Sequence, residues 1–165
     1  MTTVHLLWDA SAVAKRYAPE VGSDVVEELF QAAPLLRPVL TVPGYAEIVA
    51  LLQRKKNAGA ISVTTFQTAV SSLQSDFLMN PDAVLLTVTD AIIFASIPFI
   101  EQYNVNSSDA AILTSFNNYR LTVAEKTLLV VSDKRLLRAA QTEGLATLDP
   151  EQVSVSDITS LLTNL

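Results

Sequence analysis

Four acidic side chains stand where a carboxylate can act on a ligand: Asp9 at the end of "VHLLWD", Glu47 in "PGYAEIVALLQR", Asp109 in "NSSDAAILTSF" and Asp133 in "LLVVSDKRLLRAA". Counted forward on a helix, Asp133 heads the stripe Leu136, Leu137 and Ala140, and Asp109 heads Ile112, Leu113 and Phe116. Both acids therefore share the face that turns toward a core. Asp9 leads into Ala12, Val13 and Arg16. Glu47 lies inside its helix beside Tyr45, Ile48, Val49 and Leu52, and shares its own face with Leu51 and Arg54. An aspartate at a helix start also has a plain structural use as an N-cap, worth about 0.5–2 kcal/mol over alanine. Asp90, followed by Ile93, Phe94 and Ile97, passes the same geometric test, so geometry nominates acids without selecting among them. Glu47 cannot be explained as a cap; its structural alternative is an exposed acid paired with a neighbouring base.

Carboxylates gathered at one place repel each other and stay ionised together only beside cations. Hard oxygen donors, with no cysteine and a single histidine, suit Mg²⁺ or Mn²⁺ and not Zn²⁺. Such ions bind phosphates, activate water and stabilise charge on a phosphate oxygen, which points to a metal-dependent phosphoryl or phosphodiester hydrolase. Other chemistries find less support. His5 lies in an apolar strand, where it reads as a packed residue, and no nucleophile elbow accompanies it. Only four glycines are present, and none forms a phosphate loop. Trp8 and Tyr17 read as core or interface aromatics.

The elements that must position these acids alternate. "VHLLW", "PVLTV", "AVLLTV", "TLLVV" and "LATLD" read as short strands. Helices are expected over "SAVAKRYA", over "GSDVVEELFQAA" with Ser23 or Asp24 as cap, and from Pro43 to a stop at Gly59. Further helices are expected over "SVTTFQTAVSSLQSDFLM", over "AIIFASIPFIEQY" bent or broken at Pro98, and over "SSDAAILTSFNNYRL" and "DKRLLRAAQTE". Strands separated by helices imply right-handed crossovers and a mostly parallel sheet, with ligands beyond the carboxyl ends of its strands. The 165 residues suffice for a single domain, of which the last ~15 residues form a C-terminal extension with "SDITSLLTNL" as a further helix. Mean hydropathy is +0.34, yet no apolar run reaches the ~18 residues of a membrane span. No signal-peptide pattern and no cysteine are present, so a cytoplasmic location is expected. The net charge of −6 disfavours a basic nucleic-acid binder, although a site crowded with acids makes net charge misleading.

At these residues the sequence resembles the PIN-domain ribonucleases, especially the VapC-like toxins of prokaryotic toxin–antitoxin pairs. "WDASAVAKRY", "PGYAEIVALLQR", "NSSDAAILTSF" and "LLVVSDKRLLRAA" are similar to the four family motifs in order and approximate spacing. The resemblance implies that Asp9, Glu47, Asp109 and Asp133 are catalytic metal ligands and that Ser11 and Ser132 support them. Asp90 falls outside the motifs. It further implies a three-layer α/β/α fold and RNA cleavage by metal-activated water, leaving 5′-phosphate and 3′-hydroxyl ends. One or two Mg²⁺ or Mn²⁺ ions, a homodimer and a small antitoxin partner belong to the same expectation.

Arg54, Lys55, Lys56, Lys134 and Arg135 are the basic residues nearest in sequence to Glu47 and Asp133 and are the expected RNA contacts. Two rivals stand beside the nuclease: a PIN-like RNA-binding or protein-interaction module without catalysis, and a receiver-like signalling domain. The second would need an N-terminal acidic pair and a lysine after a late strand, and the sequence has neither.

Overall fold

The computed structural model describes residues 4–32 and 35–164. Strands and helices alternate as β1 (Val4–Trp8), α1 (Ala10–Tyr17), α2 (Ser23–Gln31), β2 (Leu36–Thr41), α3 (Val42–Asn57), α4 (Val63–Leu73), β3 (Val84–Leu86), α5 (Asp90–Tyr103), α6 (Ser107–Thr122), β4 (Lys126–Val130), α7 (Lys134–Thr142), β5 (Thr147–Leu148) and α8 (Val155–Asn164). A π-helical turn, Gln74–Leu78, continues α4. Ala33 and Leu165, the last residues of two expected helices, lie outside the described residues.

The five strands among the described residues join one sheet in the order β3-β2-β1-β4-β5, and every pairing is parallel. A parallel sheet is covered on both faces, so its strands are continuous apolar runs whose residues alternate between two cores. Leu6 and Trp8 of β1 enter one core with Val13, Val26, Leu40, Ile48 and Leu73. Leu7 enters the other with Val39, Ile112, Leu113, Phe116, Leu129 and Leu136. The first core is closed by α1, α2, α3, α4 and α8, the second by α5, α6 and α7. Trp8 stacks on Phe30 with ring centroids 4.8 Å apart, and Phe30 meets Phe77 edge-on at 6.0 Å.

The sheet order reverses direction at β1. From β1 the chain steps outward to β2 and β3 along one face, then crosses the other face to β4 and β5. The crevice between the carboxyl ends of β1 and β4 is therefore the topological switch point, where open α/β sheets bind ligands.

Three local expectations differ from the structure. Gly22, at φ +87°, caps α2; neither Ser23 nor Asp24 does. The Ser23 hydroxyl instead donates to the Lys15 carbonyl at 2.7 Å and accepts from the Glu20 amide at 2.8 Å. Of the two outcomes expected at Pro98, a break does not occur: α5 continues through this residue, which lies on its exposed side. β2 begins at Leu36 and takes in Pro38. That proline is tolerated because β3 pairs with β2 only from Val39 onward, so no ladder bond is lost there. The C-terminal α8 is seated on α2, with Ile158 buried in the first core. Among the described residues no helix is long and apolar enough to cross a membrane.

Candidate active site

Asp9 leaves the end of β1 and Asp133 follows the end of β4, so both flank the switch point. The Asp9 amide donates to the Val130 carbonyl at 3.0 Å, which locks the two strand ends together. Asp9 is the N-cap of α1: its Oδ2 accepts the Ser11 amide at 3.0 Å and the Ser11 hydroxyl. The same hydroxyl accepts the Ser132 amide at 3.0 Å and the Asp133 amide at 3.1 Å. A hydroxyl has one proton and two lone pairs, and all three are used. Ser11 thus couples the carboxylate of Asp9 to the backbone of Asp133.

Asp133 is the N-cap of α7, and Oδ1 accepts the amides of Arg135 at 2.8 Å and Leu136 at 2.9 Å. Both bonds fall on one oxygen, which leaves Oδ2 without a donor among the described residues. Asp109 has no capping duty. Asn106 caps α6 and accepts the Asp109 amide at 2.8 Å, leaving the carboxylate of Asp109 uncommitted. Because α6 leads into β4 and runs against it, its N-terminus lies at the carboxyl edge of the sheet. Glu47 reaches the same edge from the opposite face, on the second turn of α3 directly after β2, and α3 and α6 meet there.

The charges of these acids act on one another. Asp9 is 5% exposed; burial raises its pKa, the Ser11 hydrogen bonds oppose this, and the charge of Asp133 adds to it. Glu47 is half-buried and also raised, by burial and by Asp9 and Asp133, with Arg54 opposing. Asp109 is pushed up to about 7, first by burial and then by Asp9, Asp133 and Glu47, with Arg135 opposing. Asp90 is exposed at the start of α5 and is not among the charges that shift these three.

The donor set fits a hard divalent cation: carboxylate oxygens whose charges act on one another, and a buried Ser132 Oγ with no partner among the described residues. Among the described residues no three acids stand close enough together to hold a metal ion as they are placed, so their interaction is one of charge and not of contact.

The expected basic contacts divide. Arg54 and Arg135 lie within electrostatic reach of Glu47 and Asp109. The other three are held elsewhere. Lys55 pairs with Glu20 at 2.6 Å, Lys56 lies 4.7 Å over the Phe66 ring, and Lys134 pairs with Asp149 and, at 3.3 Å, with Glu151. A second polar cluster has no counterpart in the sequence reading. Arg16 stacks over Phe30 at 4.3 Å and pairs with Glu27 and, at 3.0 Å, with Asp76, which also accepts the Tyr17 hydroxyl at 2.7 Å. It borders an open groove of about 470 Å³ lined by Gln67, Thr68, Ser71 and Ser72, away from the acidic pocket. The π-helical turn that carries Asp76 leaves no local pattern in sequence. The only signal was Arg16 on the same face of α1 as Asp9.

No family model and no curated protein matches the sequence. Solved structures do. FitAcB from Neisseria gonorrhoeae superposes with a TM-score of 0.61 at 14% identity, covering 90% of this chain and 99% of its own. PAE2754 from Pyrobaculum aerophilum gives 0.59 at 15% identity, covering 98% and 97%. A toxin–antitoxin complex from Klebsiella pneumoniae gives 0.58 at 11% identity, covering 90% and 99%. These likenesses are ones of fold. The chain has a three-layer α/β/α fold with an all-parallel central sheet. That fold is PIN-like, in agreement with the resemblance carried by the four sequence motifs.

Proposed function

We propose that the chain is a Mg²⁺- or Mn²⁺-dependent endoribonuclease that acts as the toxin of a toxin–antitoxin pair. The observation that carries this reading is the gathering of Asp9, Glu47, Asp109 and Asp133 near the switch point, where burial first and the neighbouring carboxylates second push Asp109 up to about 7. Asp9, Glu47, Asp109 and Asp133 would hold the metal, directly or through water. When bound, the ion supplies Lewis-acid stabilisation of phosphate charge and a water of lowered pKa. The chain's own parts have separate tasks. Ser11 fixes Asp9 relative to Asp133, Ser132 supports the same loop, and Arg54 and Arg135 hold phosphate at the rim. Asp109 is the acid whose protonation changes near neutral pH.

Toxin–antitoxin structures among the fold neighbours support a small antitoxin protein as partner. Support for a homodimer comes from α5. Ile93, Phe94 and Ile97 are exposed, and no charged residue occurs from Ala91 to Ile100. This strip runs about 15 Å and offers copies of an acidic chain a place to meet without repulsion.

The test is cleavage of a defined single-stranded RNA against Mg²⁺ or Mn²⁺ concentration, with Asp9→Asn and Asp109→Asn as controls. Metal-dependent cleavage that leaves 5′-phosphate ends and disappears in both variants is expected. The non-catalytic PIN-like RNA-binding module is the second reading, supported by the absence of a ready-made metal cluster among the described residues. It predicts RNA binding with no metal-dependent product.

A further inference from the structure

Lys134 follows Asp133 directly, and its ammonium is not directed at the acidic pocket. It pairs with Asp149 and, at 3.3 Å, with Glu151, both on the loop after β5. Asp149 is itself buried and accepts the Glu151 amide at 3.0 Å, so this loop is folded around its own acid. Glu151 extends the chain of charges to Lys15 of α1 at 2.8 Å, and Lys15 reaches Glu20 at 3.1 Å, which pairs with Lys55 of α3 at 2.6 Å. Lys15 is only 3% exposed. Burial works against its ammonium, but its hydrogen bonds to Glu151 and Glu20 outweigh this and hold its pKa above the ordinary value. Lys15 is the buried member, so removing its carboxylate partners would leave an unpaired buried charge.

We infer that Lys134 is a positioning residue that clamps the start of α7 to the Asp149–Glu151 loop and through it to α1, and so sets Asp133 against Asp9. Two bridges then hold Asp133 in register with Asp9. Ser11 acts from within through the amides of Ser132 and Asp133. The ion-pair chain acts from outside through Lys134, Glu151 and Lys15. The C-terminal segment thereby becomes part of the support of the pocket. The inference rests on the metal-site reading of Asp133, and it assigns Lys134 to the protein's own acids in place of RNA phosphate.

The test compares wild type with Lys134→Gln, Lys134→Arg and Asp149→Asn, all as the full chain. Lys134 is about half-exposed, so the glutamine variant has no burial reason to misfold. Amide hydrogen exchange on the metal-free protein is read at Ser132, Asp133, Arg135 and Leu136, together with Mn²⁺ affinity, kcat and KM for RNA cleavage, and the salt dependence of metal-free RNA binding. Exchange at those amides accelerates in Lys134→Gln and Asp149→Asn. Mn²⁺ affinity falls about tenfold, as it does when partners of metal ligands are lost. kcat falls with it, KM and the salt slope stay unchanged, and Lys134→Arg restores wild-type behaviour. Unchanged exchange in Lys134→Gln overturns the inference. So does unchanged Mn²⁺ affinity with a salt slope smaller by about 0.7, the signature of one lost phosphate contact. If wild type binds no Mn²⁺ and cuts no RNA, the nuclease reading falls by itself, and amide exchange alone then decides whether the clamp exists.

Discussion

The residue with the clearest division of labour is Asp133. One carboxylate oxygen caps α7 through two amides, and the other has no donor among the described residues. A single side chain thus satisfies the capping reading and keeps an oxygen for a ligand. Ser11 is the residue on which this geometry depends. Ser11→Ala removes the acceptor for two backbone amides and the donor to Asp9. It is expected to cost about 1–3 kcal/mol, the penalty for leaving such groups unpaired, measured by urea unfolding of the metal-free protein. Asp109 fixes the pH behaviour. Its folded pKa, about 7, lies above the unfolded value of 3.8, so between these pH values the native state binds the extra proton. Stability of the metal-free protein therefore falls as pH rises through that window. Metal binding requires the ionised form, so Mn²⁺ affinity rises over the same range. Unfolding midpoints and Mn²⁺ titrations from pH 5 to pH 8 check both signs, and Asp109→Asn is expected to flatten both profiles.

At the scale of elements, the sheet and the helices were legible because apolar runs, caps and breakers coincide. β1 ends where Asp9 begins, α5 starts at Asp90 just ahead of its apolar run, and Pro43 lies in the first turn of α3. The placement of Asp9, Asp109 and Asp133 at helix starts was legible as well, since the apolar stripe behind each is buried. Contacts that join distant segments were not legible. Lys15 meets Glu151 across 136 residues, and Arg16 meets Asp76 across 60, so no local spacing announces either pair. The cap of α2 was missed for a related reason. Gly22 is chosen by its positive φ and by close approach to another loop: a Cβ there would stand 2.6 Å from the Pro150 carbonyl oxygen. Gly22→Ala is therefore expected to destabilise the chain by more than about 1 kcal/mol and to speed amide exchange in the 149–152 loop. Calorimetry and hydrogen exchange measure the two effects separately.

For the whole molecule, the net charge of −6 is concentrated in function as well as in number. Part of it is gathered at the switch point, part neutralises the chain's own lysines, and α5 carries a neutral strip on the surface. If copies associate through that strip, Phe94→Glu places a charge on each side of the interface. Light scattering is then expected to show a fall in mass toward that of a single chain at concentrations where wild type is dimeric. Every catalytic role proposed for this chain depends on the acids at the ends of β1 and β4 forming a working cation site. The most direct measurement is Mn²⁺ binding by wild type and Asp133→Asn, read beside metal-free melting temperature and RNA cleavage. Asparagine keeps the cap oxygen and removes the charge. Asp133→Asn is expected to show an unchanged or slightly raised metal-free melting temperature, weaker Mn²⁺ binding and loss of most cleavage. Wild-type Mn²⁺ affinity and full cleavage in Asp133→Asn at low metal would contradict it.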